Sequence, residues 1–248
     1  MNIALGALGT RHRGSSGPSS LVAAWKFLEG SGTTSADSST SGNNLTLTNA
    51  TWAGAQAGTP LTQAVSFSGT GGAVAENTTN QNFEWTDPFT ISQWINIGNL
   101  SEYTFPVGHL ALSTFAGYSI ATNNVGAGLY ELFLDNGAGQ YWWANVPYGT
   151  TSTWVHIVVV YDGSGLDSNV KYYVNGTLAS TETTGDSAVH QFTTGSIQNT
   201  QPMELGTDNG PAGAAGFTGL IGPTYIWNRE LTSGEAAGMY SNPYFPPS

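Results

Sequence analysis

The chain has 248 residues and few charges: 5 lysines and arginines against 16 acidic residues give a formal net charge of −11, and charged residues make up only 8% of the sequence. So few cations argue against nucleic acid as a partner, because lysine and arginine must neutralise its phosphates, and equally against an anionic membrane surface. The absence of cysteine excludes a disulfide framework and thiolate metal sites.

The N-terminal segment, residues 1–20, has the sequence MNIALGALGTRHRGSSGPSS. Its apolar run is short, it lacks a basic start, and Arg11, His12 and Arg13 follow where a cleavage site would be expected, so it is a poor match to a signal peptide. We expect a flexible or partner-bound arm here. A single domain should follow over residues 21–241, and the proline-rich residues 242–248 should form an extended tail.

Signals for β-strands dominate the domain, in the form of short apolar or alternating runs separated by Gly, Ser, Thr and Asn. The predicted strands are Leu21–Phe27, Asn44–Trp52, Ala64–Ser68, Phe89–Ile97, Gly128–Asp135, Gln140–Val146, Trp154–Tyr161, Val170–Ser180 (interrupted by a turn), Met203–Gly206 and Gly219–Trp227. Many short strands at this spacing indicate an all-β sandwich or barrel in one domain, since β-sandwiches often reach roughly 200–250 residues.

Three local patterns refine this prediction. Asn175–Gly176 lies between two β-prone runs and predicts a tight hairpin turn, because both residues tolerate positive φ. Asn136–Gly137 predicts a second hairpin. Thr232–Tyr240 is the one segment that predicts a helix, with Ser233 as its cap and Glu235 near its start. The glycine-rich residues 210–216 predict a loop.

Four segments in order resemble the laminin-G-like jelly-roll domains of the concanavalin A-like lectin/glucanase superfamily. They are LVAAWKFLEGSGTTSADSSTSGNNLTLTNATW, AVSFSGTGGAVA with DPFTISQWINI, TWVHIVVVYDGSG with VKYYVNGTLAST, and GFTGLIGPTYIWNRELTSGEAAGMY. The resemblance implies a two-sheet antiparallel jelly-roll sandwich, here with an extended N-terminal arm and one short C-terminal helix. It does not decide the function, since such folds host lectins, adhesion modules, glycosidases and viral structural proteins.

Catalysis is disfavoured. Glucanases of this superfamily carry three alternating acids on one strand, and the nearest match here is Glu131 and Asp135 with Phe133 at the central position. Residues four apart on a strand are roughly 13 Å apart, too far for the paired carboxylates of a retaining glycosidase. The histidines show no metal-ligand spacing, and His156, inside an apolar run, is predicted to be structural. We therefore expect no enzymatic activity and no required cofactor.

Calcium is a candidate ligand through the resemblance alone. Many family members bind one ion at the sandwich rim, and Asp37 lies in the matching Ala-Asp-Ser-Ser loop. Two positions where the family often has an acid carry Gly222 and the run Thr70-Gly71-Gly72 instead. The alternative is that Asp37 caps a turn through its own backbone.

Carbohydrate binding needs exposed aromatic rings with polar groups around them. Tyr141, Trp142, Trp143 and Asn145 form such a run. Because neighbouring strand residues face opposite ways, one of the two tryptophans should be buried and the other is a candidate platform. The alternative is that both are covered.

Two functions follow as hypotheses. The first is a non-catalytic component of a phage virion, either capsid decoration or a tail or fibre module, on the virion surface. Its partners would be other virion proteins or further copies of itself in a homo-oligomer, with glycan or host-surface adhesion as a further role. The alternative is a carbohydrate-binding module of a bacterial surface or secreted protein, located at the cell surface or outside the cell.

Overall fold

The computed structural model describes residues 20–75, 79–100, 103–123, 128–148, 150–183, 187–207 and 216–248, with only the backbone described at 182 and 183. Apart from Ser20, the predicted N-terminal arm lies outside these residues. The predicted loop over residues 210–216 also lies outside them, apart from Gly216.

Within this part of the chain the secondary structure is almost entirely strand. The strands are β1 (Leu21–Trp25), β2 (Thr34–Ser35), β3 (Leu45–Ala53), β4 (Ala64–Ala75), β5 (Phe89–Ile97), β6 (Thr104–Leu110), β7 (Gly117–Asn123), β8 (Leu129–Asp135), β9 (Tyr141–Pro147), β10 (Trp154–Tyr161), β11 (Lys171–Val174), β12 (Thr177–Ala179), β13 (Glu182–Thr183), β14 (Met203–Leu205) and β15 (Thr218–Trp227). One α-helix, α1 (Ser233–Ser241), follows them.

The strands form an antiparallel two-layer sandwich. Their order is β12–β11–β10–β5–β15–β4–β14–β6–β7–β8–β9–β13, with β1 beside β15 and β3 beside β4. The back layer is β12 to β15 in this order, and the front layer is β14 to β13. Strand β4 belongs to both, since residues 65–68 pair with β15 and residues 73–75 pair with β14. The jelly-roll sandwich implied by the resemblance is therefore confirmed.

Two glycines in β4 allow it to pass from one layer to the other. A Cβ on Gly71 would lie 2.2 Å from the carbonyl oxygen of Thr48 on β3, and one on Gly72 would lie 2.4 Å from Cγ2 of Thr207. Since real Cβ atoms do not approach so closely, a side chain at Gly71 would push β4 away from β3, and one at Gly72 would push β4 away from Thr207.

Aromatic side chains join the two layers across the core. The hydroxyl of Tyr172 on β11 donates to the carbonyl of Ala144 (2.7 Å) and accepts from the amide of Leu132 (2.8 Å), so it ties the back layer to β8 and β9. The rings of Trp142 and Tyr161 are 5.7 Å apart, and both are fully buried. The front layer is thereby fixed on the back layer, and its other face is left for the site.

Several local predictions are confirmed. Strands β5 and β10 have the predicted bounds, and nearly every residue in them is buried, because both are covered on two faces. Asn175 and Gly176 form the predicted tight turn between β11 and β12, with φ of 50° and 78°.

The prediction of the helix was correct in place but wrong at its cap. Thr232, not Ser233, is the N-cap, because its hydroxyl accepts from the amide of Glu235 (3.3 Å) while the Glu235 carboxylate accepts from the amide of Thr232 (2.8 Å). Arg229 donates to the same carboxylate at 2.7 Å, and these hydrogen bonds lower the pKa of Glu235 to about 2.

The C-terminal tail packs against its own chain. The hydroxyl of Tyr225 donates to the carbonyl of Pro243 (2.6 Å), and the indole N–H of Trp227 donates to the carbonyl of Pro247 (2.9 Å). These contacts hold residues 243–248 against β15 of the same chain.

Candidate functional site

The outer face of the front layer carries the candidate site. Directly paired residues in an antiparallel sheet point their side chains to the same face, so the strand register arranges this face in rows. Three of these rows carry the site: Leu110–Gly117–Asp135–Tyr141, then Glu204–Gly108–Ser119–Phe133–Trp143, then Ala121–Glu131–Asn145.

Aromatic side chains build an open groove on this face. We call this the aromatic groove; its volume is about 350 Å³. It is lined by Tyr103, Phe105, Leu110, Phe115, Phe133, Asp135, Tyr141 and Trp143. Among these described residues Asp135 is the one acid, and the remaining side chains offer mainly rings and methyl groups.

The rings in the groove support one another. Trp143 stacks on Phe133 with ring centroids 4.0 Å apart and an interplanar angle of 27°. Tyr103 lies 6.0 Å from Trp143, and Tyr141 lies 6.2 Å from Phe133. Contacts of this kind hold the rings in place before any ligand arrives, which lowers the entropy lost on binding.

Two of the four predicted carbohydrate-binding residues line the groove. Tyr141 and Trp143 are both half-buried and point outward. Trp142 faces the opposite way: it is fully buried, and its indole N–H donates to the carbonyl of Gly165 (3.0 Å). Its inclusion as a sugar contact is therefore wrong, because alternation along β9 turns it into the core.

Asn145 lies in the third row, beside the groove rather than in its lining. Its residue is 1% exposed, and neither its side-chain nitrogen nor its oxygen has a hydrogen-bond partner among the described residues. Each buried polar group without a hydrogen-bond partner costs about 1–3 kcal/mol. The side-chain amide of Asn145 therefore keeps hydrogen-bonding groups on this face that no described residue satisfies.

Carboxylates accompany the rings. Glu131, across the strand pair from Asn145, is buried and accepts a hydrogen bond from the side-chain amide of Asn123. Asp135 accepts from the amide of Gly137 (2.6 Å), but burial dominates and raises the pKa of Asp135. Phe133 stands between the two acids on β8. They therefore do not form the close carboxylate pair of a retaining glycosidase.

The sequence did not indicate the rest of the lining. In the sequence, Phe133 is notable only because it occupies the position of the central acid of a glucanase. No sequence pattern indicates a role for Tyr103, Phe105, Leu110 or Phe115. Phe115 has a φ of 62° and is 53% exposed at the tip of the β6–β7 hairpin. A bulky residue in this left-handed backbone conformation is unusual.

Asp37 has the surroundings of a turn cap. One oxygen accepts from the amides of Ala24 and Ser39, both at 2.8 Å, and the other accepts from the Ser39 hydroxyl (2.8 Å) and the Asn43 amide (2.9 Å). All four partners are donors, whereas calcium requires oxygen ligands that face the ion. No group of three or more His, Cys, Asp or Glu side chains suited to a metal occurs in the part of the chain that the structure describes. The residues around Asp37 do not fit calcium.

The described histidines are structural or isolated. His156 is fully buried and lies 2.9 Å from the Ser92 hydroxyl; burial lowers its pKa to about 3. His109 is buried between Asn199 and Tyr118, and burial lowers its pKa to about 4. His190 is exposed and its Nδ1 lies 2.6 Å from Asp167. His12 lies outside the described residues.

No α-helix in the described ranges has both the length and the apolar character needed to cross a bilayer.

The family follows from a comparison of sequences. A laminin G model of the concanavalin A-like lectin/glucanases superfamily matches residues 67–237, which is more than half of the chain. The chain belongs to the concanavalin A-like lectin/glucanase superfamily. The match includes most of the front layer and the aromatic groove. The comparison with curated proteins found no match.

Solved structures share the fold at low sequence identity. The chain is similar to the binding domain of Paraclostridial Mosquitocidal Protein 1 (15% identity, TM-score 0.64, 89% of this chain and 51% of that one) and to the botulinum neurotoxin serotype G binding domain (15%, 0.64, 89% and 50%). It thus spans about half the length of these toxin domains. It is also similar to domain 4 of AbnA, an extracellular GH43 arabinanase of Geobacillus stearothermophilus (18%, 0.57, 89% and 98%).

Proposed function

We propose that this chain is a non-catalytic binding domain and that its aromatic groove binds carbohydrate. The observation that carries the proposal is the groove itself, in which the stacked pair Trp143 and Phe133 lies between Tyr103 and Tyr141 on an outward face of the sheet. A groove of about 350 Å³ falls within the roughly 300–1,000 Å³ typical of ligand sites.

The chemistry of the groove matches that of a sugar ring. One face of a pyranose or furanose presents C–H groups, which lose little on leaving water and pack against an aromatic ring. The hydroxyls at the edge of the sugar need hydrogen-bond partners. Asp135 at the groove and the Tyr103 and Tyr141 hydroxyls supply such partners.

The three structural relatives are consistent with this role. Domain 4 of the arabinanase was solved in complex with arabinotriose, and the two toxin structures are binding domains. A binding domain with the same fold supports the transfer of a binding role to this chain, although the identities are too low to transfer a particular ligand.

The test is binding to an immobilised library of oligosaccharides. Trp143→Ala should weaken binding about 30-fold, because truncating a central tryptophan of a binding site costs about 2 kcal/mol. Leu178→Ala is the matched control, since Leu178 is an apolar side chain 60% exposed on β12 of the back layer. The control should bind like the wild type.

Equal binding by the wild type and Trp143→Ala would contradict the proposed site. Failure of the wild type to bind any oligosaccharide would contradict the proposed function.

The assignment to a phage virion remains a narrower proposal. It is supported by the low charge, because a protein packed against many neighbouring copies can keep few charged residues. Light scattering on the full chain and on a version lacking residues 1–20 tests it. An oligomer that needs residues 1–20 is expected for an assembly protein, and a monomer in both cases would favour a secreted or surface carbohydrate-binding module instead.

A further inference from the structure

Among the described side chains, three acids belong to these three rows of the groove face, one in each row. Asp135 is 9% exposed, Glu204 5% and Glu131 1%. Asp135 lines the groove directly. Glu204 lies in the same row as Trp143, and Glu131 lies in the neighbouring row. A ligand in the groove therefore lies beside the carboxyl group of Asp135 and above two further, buried acidic side chains.

The described cations are placed elsewhere. Lys171 pairs with Glu230 at 3.1 Å, and Arg229 pairs with Glu235 at 2.7 Å, both beside the C-terminal helix. Lys26 directly follows β1. In the described ranges, therefore, no lysine or arginine lines the aromatic groove or belongs to the three rows. Among the described residues, an anionic group bound there would therefore find no cationic side chain in the groove lining.

Neutral polar groups on the same face still lack partners. Besides both amide atoms of Asn145, the hydroxyl of Ser119 is buried without a hydrogen bond to any described residue. Ser119 shares a row with Phe133 and Trp143, and Asn145 shares a row with Glu131. Both side chains are buried, so they place neutral polar groups and no positive charge beneath the rings.

We infer that the aromatic groove selects uncharged glycans and rejects glycans that carry a carboxylate, sulfate or phosphate group. This inference rests on the proposed function. Hydroxyl groups can donate to the Asp135 carboxylate and bond to the Tyr141 hydroxyl, both in the groove lining. An anionic group would lose its hydration and meet like charges instead, at short range and in a partly desolvated groove.

The experiment compares two ligands that differ in one group. The ligands are the neutral oligosaccharide that binds best and the same oligosaccharide with one primary alcohol oxidised to a carboxylate. Calorimetry is carried out at about 0.01 M and about 1 M salt, where the Debye lengths are roughly 30 Å and 3 Å. The carboxylate form should bind at least tenfold more weakly at low salt, and the difference should shrink at high salt.

Two variants locate the effect. Asp135→Asn removes a charge from the groove and should narrow the difference between the two ligands. Glu230→Gln removes the same charge from an exposed site beside Lys171 and should leave the difference unchanged. If both variants narrow it equally, the net charge of the chain discriminates and the groove does not.

The remaining outcomes separate the inference from the proposed function. Tighter or equal binding of the carboxylate form by the wild type would overturn the inference and leave the groove as a carbohydrate site. Absence of binding to either ligand would overturn the proposed function and the inference together.

Discussion

Two buried histidines should make the fold sensitive to mild acid. The pKa of His156 is lowered to about 3 and that of His109 to about 4, in both cases chiefly because burial disfavours the imidazolium. In the unfolded chain both should titrate near the ordinary value of about 6.5. Between these values the unfolded state binds more protons than the folded state, so the free energy of unfolding falls as the pH falls.

The size of the effect follows from these pKa values. Between pH 7.5 and 5, each histidine gains nearly one proton on unfolding, which lowers the free energy of unfolding by about 2 kcal/mol. The two together should remove about 4 kcal/mol, a large part of the roughly 5–15 kcal/mol of an ordinary domain. Most carboxylates titrate below this window, so the histidines dominate it.

The assay is urea unfolding followed by tryptophan fluorescence at a series of pH values. The glutamine in His156→Gln keeps a hydrogen-bonding side chain but does not titrate. The free energy of unfolding of this variant should therefore fall by only about 2 kcal/mol between pH 7.5 and 5, whatever its value at neutral pH. A wild-type loss below about 1 kcal/mol over the same window would refute the reasoning, because the unfolded histidines must titrate there.

Three further predictions concern single contacts. Trp142→Ala should lower the free energy of unfolding by about 3–5 kcal/mol, whereas Trp143→Ala should lower it by less than about 2 kcal/mol, as measured by the same urea unfolding. Asp37→Ala should cost about 2–4 kcal/mol because it strands buried donors, and calcium or a chelator should leave the Tm of the wild type unchanged. Removal of residues 243–248 should lower the free energy of unfolding by at least about 2 kcal/mol, since Trp227 loses its acceptor. It should leave the oligomeric state, measured by light scattering, unchanged; a changed oligomeric state would contradict the packing of the tail on its own chain.

The strands with the clearest sequence signals were predictable because local chemistry and tertiary packing agree there. Val155–Val160 is apolar without interruption apart from His156, which suits a strand covered on both faces. Asn175–Gly176 was predictable because few residue pairs adopt positive φ at both positions.

Strands β6 and β7 were not predicted, for identifiable reasons. Pro106 lacks an N–H and Gly108 lacks a side chain, so β6 shows no alternation and has an irregular register between Thr104 and Val107. Strand β7 pairs with its neighbour β8, whereas β6 is placed by pairing with β14, which is far away in sequence. The aromatic groove depends on that pairing, so only the part on β9 could be predicted.

On β9, alternation correctly separated the two tryptophans into one buried and one outward residue, but it could not say which was which. The direction depends on which face of β9 meets the back layer. The contact of Trp142 with Tyr161 decides it. Asn145 is a polar neighbour of the rings in the sequence. Its register with Glu131 places it on the outer face of the front layer but beneath the surface.

The most direct test of the account follows the indole N–H signals of the 8 tryptophans by nuclear magnetic resonance while a neutral oligosaccharide is added, with Trp143→Phe used to assign the signal of Trp143. Binding in the aromatic groove should shift the Trp143 signal in proportion to occupancy, while the signals of Trp142 in the core and Trp94 on the back layer keep their positions. A glycan that binds without moving the Trp143 signal, or that moves Trp94 instead, would contradict the assignment of the aromatic groove as the carbohydrate site.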